Sequence, residues 1–157
     1  TALAHHYFGG KEQIFLAAMR HILSLYGAEI RGALATATTP QARLEAILLA
    51  SFSPSNFRRE VVSAWLNFYV LAQTVPGARR LLSVYQRRLH TNLVHALRPS
   101  VGARAEGLAL SLGALIDGVY LREALNAQSS DGKAAVQMVQ DYLAAELSRT
   151  EKKGIDL

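Results

Sequence analysis

Apolar residues in this chain recur at intervals of three and four, and nowhere do they alternate convincingly with polar ones. Leu108, Leu112, Leu115, Ile116 and Val119 share one side of a helical wheel. So do Leu82, Tyr85, Leu89, Asn92 and Ala96, and so do Val136, Val139, Leu143 and Leu147. Such a stripe buries one side of a helix and offers no pleated face to a sheet. Breakers divide the stripes: Gly9-Gly10, the loop 35–40, Ser53-Pro54-Ser55-Asn56, Pro76-Gly77, Pro99-Ser100-Val101-Gly102 and Ser129-Ser130-Asp131-Gly132. Glycine at 9 and 10 reads as a helix stop, because glycine tolerates the left-handed conformation that closes a helix end. Thr39 followed by Pro40 reads as a cap and a first helical position. The spacing predicts helices over roughly 1–8, 11–34, 40–52, 57–74, 78–97, 103–127 and 133–149, with a polar, fraying tail over 150–157. Helices of this number and length make an all-α bundle.

At 157 residues, half of them hydrophobic, the chain suits one domain with a full core. No apolar run approaches the ~20 residues a membrane span needs. Thr1-Ala2-Leu3 is neither an initiator methionine nor the charged start of a signal peptide. The absence of cysteine excludes disulfides and thiolate metal sites and fits a reducing cytoplasm. A net charge of +5 admits a polyanionic partner without requiring one. That charge is unevenly placed. No acid occurs from Val61 to Ala105, where Arg79, Arg80, Arg87, Arg88, Arg98 and Arg104 fall. The stretch is either a solvated helix face or a positive wall beside a ligand or DNA. Enzymes find little support. There is no Gly-rich phosphate loop, no His-Glu-x-x-His and no nucleophile motif. His21, His90 and His95 are scattered. His5 and His6 point about 100° apart on a helix and chelate poorly together, so neither a metal nor a cofactor is expected.

Three segments resemble the TetR family of transcription repressors. In the first, His5, Tyr7-Phe8, Lys11-Glu12 and Ile14 match the end of a recognition helix, a two-residue turn and the start of a long helix. The second, Ser63-Ala64-Trp65-Leu66-Asn67-Phe68-Tyr69, resembles the AWLxFW segment of one subgroup. The third runs from Ala114 to Leu125 and resembles that subgroup's ALIDGLWLRxAL helix. Arg87-Arg88-Leu89 and Asn92-Leu93 also fit. The subgroup is BetI-like, typified by the repressor of glycine-betaine synthesis from choline.

The resemblance implies a TetR-type helical bundle in the cytoplasm: a ligand-binding and dimerisation domain over 11–149, with residues 1–10 a remnant of the helix-turn-helix head. It implies a ligand-responsive repressor, released from operator DNA when a small molecule enters the helical core and the long first helix swings the heads. Thr1, Ala2, His5, Tyr7 and Lys11 fall at DNA-contacting positions, and Phe8 falls where the head clamps onto the long helix. A homodimer is implied through the last two long helices, with Leu112, Leu115, Val119, Val139 and Leu143 as interface residues. The chain departs from the pattern by starting where the recognition helix starts. The first helix pair normally holds the recognition helix in the groove, so the chain as given is expected not to bind its operator specifically. A headless ligand-binding or dimerisation module is the alternative.

Trp65, Phe68 and Tyr69 lie at i, i+3 and i+4 on one helix face, either as core or as a pocket wall. In the implied fold, Tyr120, one turn after Asp117, supplies the opposite wall. Aromatic rings with a carboxylate suit a quaternary ammonium such as choline, at ~0.5–2 kcal/mol per cation–π contact. Asp117 is either the countercharge or a helix-to-helix hydrogen-bonding group, or it pairs with Arg122 or Arg88. Gly118 is expected to admit a close neighbouring helix. The acid-free segment argues for a rival ligand, anionic or neutral, held by Arg87, Arg88 or Asn92. Tyr26 and Tyr85 fall on core faces.

Overall fold

The structure, a computed structural model, describes residues 2–126 and 131–155, with side chains placed for 9–126 and 131–149. Among the described residues six α-helices follow one another: α1 (Ala2–Thr36), α2 (Pro40–Ser51), α3 (Arg59–Thr74), α4 (Pro76–Val101), α5 (Ala105–Ala124) and α6 (Gly132–Ile155). A single 3-10 turn, Gly102–Arg104, joins α4 to α5. No strand occurs among the described residues. The side chain of Phe8, the end of the expected 103–127 helix and the last two residues of the tail lie outside the described residues.

Local chemistry accounts for most boundaries. The Thr39 side chain accepts from the Ala42 N–H at 3.1 Å, and Pro40 opens α2. This satisfies one orphan donor, and proline loses nothing at a first helical position. Asp131 does the same for α6, accepting from Lys133 N at 3.0 Å and Ala134 N at 3.1 Å. Asn56 organises the break between α2 and α3. Buried, it donates to the Ala50 carbonyl at 2.8 Å and to Glu29 of α1 at 2.7 Å.

One expected break is absent and another is displaced. Helix α1 runs unbroken through Gly9 and Gly10, neither of which has positive φ. Glycine permits a left-handed stop but does not compel one. A Cβ at either position would meet open space, so no packing forces a turn there, and each further helical residue adds a backbone bond. The break expected over 99–102 falls at its far end, because Pro99 sits inside the last turn of α4. It forfeits one backbone bond near an end where few remain, and the helix stops instead at Gly102, with φ of 55°.

Helix α4 is the hub, packing against α5, α3, α2 and α1, while α6 lies on α5 and α2. The core is continuous. Phe68, Ile47, Leu93, Leu112, Ile116 and Val139 are fully enclosed. The stripe Leu44, Ile47, Leu48 and Ser51 is buried as its spacing requires.

The expected interface residues fall mostly inside this packing. Leu112, Val119, Val139 and Leu143 are buried in the chain's own core and Leu115 is half-buried, because α5 and α6 need those stripes to cover α4 and each other. The outward faces carry Leu110, Leu121, Leu125 and Met138. The expectation for Gly118 is corrected: a Cβ there would meet nothing within 4 Å, so no helix of this chain approaches it closely.

Gly132 is the glycine that packing requires, since a Cβ would run into the Phe52 carbonyl oxygen. Gly132→Ala should lower stability by ~1–3 kcal/mol through that overlap. Gly32→Ala, in open space on α1, should raise it by ~0.5–1 kcal/mol. Thermal denaturation of the two variants checks both signs.

Candidate functional site: an aromatic cluster around Asp117

The inner face of α3 meets α4 and α5 in a cluster of rings. Trp65 is central, with ring centroids 4.6 Å from Tyr85, 5.7 Å from Tyr69, 5.8 Å from Phe68 and 6.1 Å from Tyr120. Tyr85 of α4 leads on to Tyr26 of α1 at 5.9 Å. Tyr120 of α5 leads to Phe57 at 5.1 Å and Phe52 at 5.7 Å. The arrangements are tilted or edge-on, which suits the ring quadrupoles. One connected set of aromatics therefore touches α1, α3, α4, α5 and the α2–α3 connection.

Two carboxylates act on this field: Glu29 of α1, felt by Tyr26 and Tyr120, and Asp117 of α5, felt by all four tyrosines. The Oδ1 of Asp117 accepts from the Tyr69 hydroxyl at 2.9 Å, bridging α5 to α3. It is partly buried and makes no ion pair with Arg122, Arg88 or any other described residue. Of the alternatives open from sequence, the helix-to-helix hydrogen bond is the one realised. Burial raises the Asp117 carboxyl above its ordinary value, and the Tyr69 hydrogen bond only partly opposes this. Its charge in turn disfavours ionisation of every tyrosine around it. Burial first, and Asp117 among the further causes, pushes Tyr26 up to about 12 and Tyr69, Tyr85 and Tyr120 well above the usual phenol range. The site is thus a negative centre ringed by neutral aromatics.

The five residues expected to bind ligand divide by role. Trp65, Tyr69 and Asp117 meet at the centre. Phe68 is fully enclosed and serves the core. The Tyr120 ring faces Trp65, but its hydroxyl donates to the Ser51 carbonyl, fixing the end of α2. Sequence reasoning assigned Tyr26 and Tyr85 to packing alone, and both join the cluster. The available signal was the phenol itself, since a tyrosine on a core stripe must place a hydroxyl somewhere. Ser51 donates to the Ile47 carbonyl at 2.8 Å, which leaves Tyr26 to donate to Ser51 at 2.9 Å.

Arg87, Arg88 and Asn92 do gather, at a different place. They line an open groove of about 760 Å³ between α1 and α4, whose wall includes Tyr26 and Tyr85. Trp65, Phe68 and Asp117 do not line it. Among the positions expected to contact DNA, Thr1 lies outside the described residues. Ala2, His5 and Tyr7 lie on α1 with side chains outside them, and Lys11 is exposed on the same helix. Among the described residues, no three His, Asp or Glu side chains gather as a metal site would need, and no helix is long and apolar enough to cross a membrane.

Residues 40–148 match a family model described as the C-terminal domain of BetI-type transcriptional repressors. A HTH-type transcriptional regulator BetI of Brucella canis is 48% identical over 148 residues, covering 94% of this chain and 75% of that protein. Its namesake in Rhizobium meliloti is 42% identical over 147 residues, covering 93% and 72%. Among solved structures, a protein of Saccharomonospora viridis, classed as a transcriptional regulator and crystallised with choline, has a TM-score of 0.74 at 22% identity. The match covers 91% of this chain and 78% of that one. A Rhodococcus regulator has a TM-score of 0.69 at 18% identity, covering 96% and 78%.

A carboxyl whose folded pKa is raised is protonated more readily in the folded chain than in the unfolded one. Its stabilising contribution is present in acid and lost as pH rises from the ordinary value of 3.8 through the folded value. Asp117→Asn removes that loss. The melting temperature of the variant should exceed that of wild type at neutral pH, and the gap should close as pH falls below about 4. A gap that ignores pH would show that the buried charge is not its source.

Proposed function

This chain belongs to the BetI-type family of transcriptional repressors, and on that premise we propose that a small quaternary-ammonium cation, choline first, binds between Trp65, Tyr69, Tyr120 and Asp117 and weakens the repressor's hold on operator DNA. Its relatives are named as transcriptional regulators and not as enzymes. The observation that carries the ligand class is Asp117, a partly buried carboxylate among aromatic rings with no cationic partner among the described residues. Burying an uncompensated charge is unfavourable. A quaternary ammonium would offset that charge and gain ~0.5–2 kcal/mol per ring face. Choline in the fold neighbour from Saccharomonospora viridis supports the choice.

The route to DNA runs through α1. At ~1.5 Å per residue, its 35 residues extend about 52 Å. Tyr26 ties it to the cluster by its ring and to α2 by its hydroxyl. The cluster is closed, with Trp65 and Tyr120 buried. Admitting a cation requires those rings to part, which shifts the seat of α1. Ligand and operator then bias the same equilibrium, and their coupling is reciprocal. Residues 1–10 carry the DNA-facing positions Thr1, Ala2, His5 and Tyr7, with Lys11 following, in a protein acting in the cytoplasm.

Two chains pair through the outward faces of α5 and α6. Leu110, Ala114 and Leu121 recur at helical spacing on α5, with Leu125 at its C-cap, and Met138 lies on α6 between Ala134 and Ala145. A dimer would cover this apolar surface. Light scattering should give twice the chain mass for wild type and one chain mass for Leu121→Glu with Met138→Glu. A wild-type monomer would remove the dimer from the proposal.

The ligand claim is tested by thermal shift. Choline should raise the melting temperature, by RT ln(1 + [L]/Kd) in free energy. The shift should vanish in Asp117→Asn and shrink in Trp65→Phe. An equal shift in Asp117→Asn would refute the site.

A further inference from the structure

The groove between α1 and α4 has a chemistry opposite to the Asp117 cluster. Four arginines line it: Arg20 and Arg31 from α1, Arg87 and Arg88 from α4. No acidic residue does. None of the four makes an ion pair or hydrogen bond to another described residue, whereas Arg98, Arg104 and Arg149 each have a glutamate. Like charges gathered without a countercharge repel one another, and an anion would relieve this.

The groove floor gives a second, independent pointer. Tyr85 lines it and is only 9% exposed. Its hydroxyl has no hydrogen-bond partner among the described residues, while the hydroxyls of Tyr26, Tyr69 and Tyr120 all do. A phenol that lines the groove and has no internal partner can donate to a carboxylate oxygen bound there. Between the polar groups the walls are Leu23, Ile30, Leu81, Val84 and Leu89. Small residues on α1, Ser24 and Gly27, leave room between Arg20 and Arg31. Inorganic phosphate would leave those apolar walls wet. The phosphate backbone of DNA would not reach a tyrosine at the floor.

We propose that this groove binds a small organic carboxylate with an apolar body, its carboxylate held by Arg87 and Arg88 with the Tyr85 hydroxyl, and its body laid against α1. The site stands on its own residues and does not depend on the cation reading. Because Tyr85 packs against Trp65, occupancy is felt at the cluster, so the carboxylate acts as a second effector.

Trp65 is the chain's single tryptophan and its ring lies 4.6 Å from that of Tyr85, so its fluorescence reports on the groove. The test is titration of the whole 157-residue chain with sodium octanoate, followed by Trp65 emission and by calorimetry, which detects binding that leaves emission unchanged. Octanoate should bind saturably. Arg87→Gln with Arg88→Gln, both exposed positions, should weaken it about tenfold or more, and Tyr85→Phe should weaken it about threefold to tenfold while keeping the ring. Inorganic phosphate and random duplex DNA should not compete at equal concentration. The proposal is overturned by the absence of saturable binding in calorimetry, or by an unchanged Kd in the arginine variant. It is equally overturned if neutral 1-octanol binds as well as octanoate, or if phosphate or DNA displaces octanoate.

Discussion

A carboxylate held among aromatic rings without a cation is the tension around which this bundle is arranged. Asp117 keeps one hydrogen bond, from Tyr69, and loses much of its water to burial. Such a group, half-buried among rings with no cation beside it, costs stability. The surrounding phenols are all pushed further from ionisation, so the negative charge stays on one atom pair and does not spread.

The rings around that charge also join the helices. Tyr120 reaches the Ser51 carbonyl at the end of α2, and Tyr26 reaches the Ser51 hydroxyl from α1. Ser51 is thus contacted from both the first long helix and the aspartate helix. A change in ring packing at Trp65 has two short paths to α1: through Tyr85 to Tyr26, and through Tyr120 to Ser51. This continuity between site and lever is what an effector-controlled DNA-binding protein requires. Tyr26 and Tyr85 also line the arginine groove, which therefore borders the ring cluster through the contact of Tyr85 with Trp65.

Much of this was legible before any coordinates. Helical periodicity alone specified an all-α chain, and Thr39-Pro40 and the 53–56 loop marked real boundaries, because capping and turn chemistry act locally. The i, i+3, i+4 spacing of Trp65, Phe68 and Tyr69 put them on one face, and the family-like Asp117 helix supplied the partner. The misses share a cause. Gly9-Gly10 and Pro99 permit a break, but whether the chain takes it depends on packing that spacing does not encode. Leu112 and Val139 read equally well as core or interface, and only the position of α4 decides between them. Tyr85 sat unnoticed in an apolar row, and its unpaired hydroxyl became visible only with its neighbours in place.

If the charge on Asp117 is what recognises the effector, then affinity must follow its ionisation. The most direct measurement is the calorimetric Kd of choline across acid pH, set beside its neutral carbon analogue, in which a tert-butyl group replaces the trimethylammonium. Choline affinity should fall about tenfold per pH unit below the folded pKa of Asp117, while the neutral analogue holds level or improves. Parallel pH profiles for the two compounds, or a flat profile for choline, would mean that the rings bind by shape alone and that Asp117 is a structural hydrogen-bond acceptor.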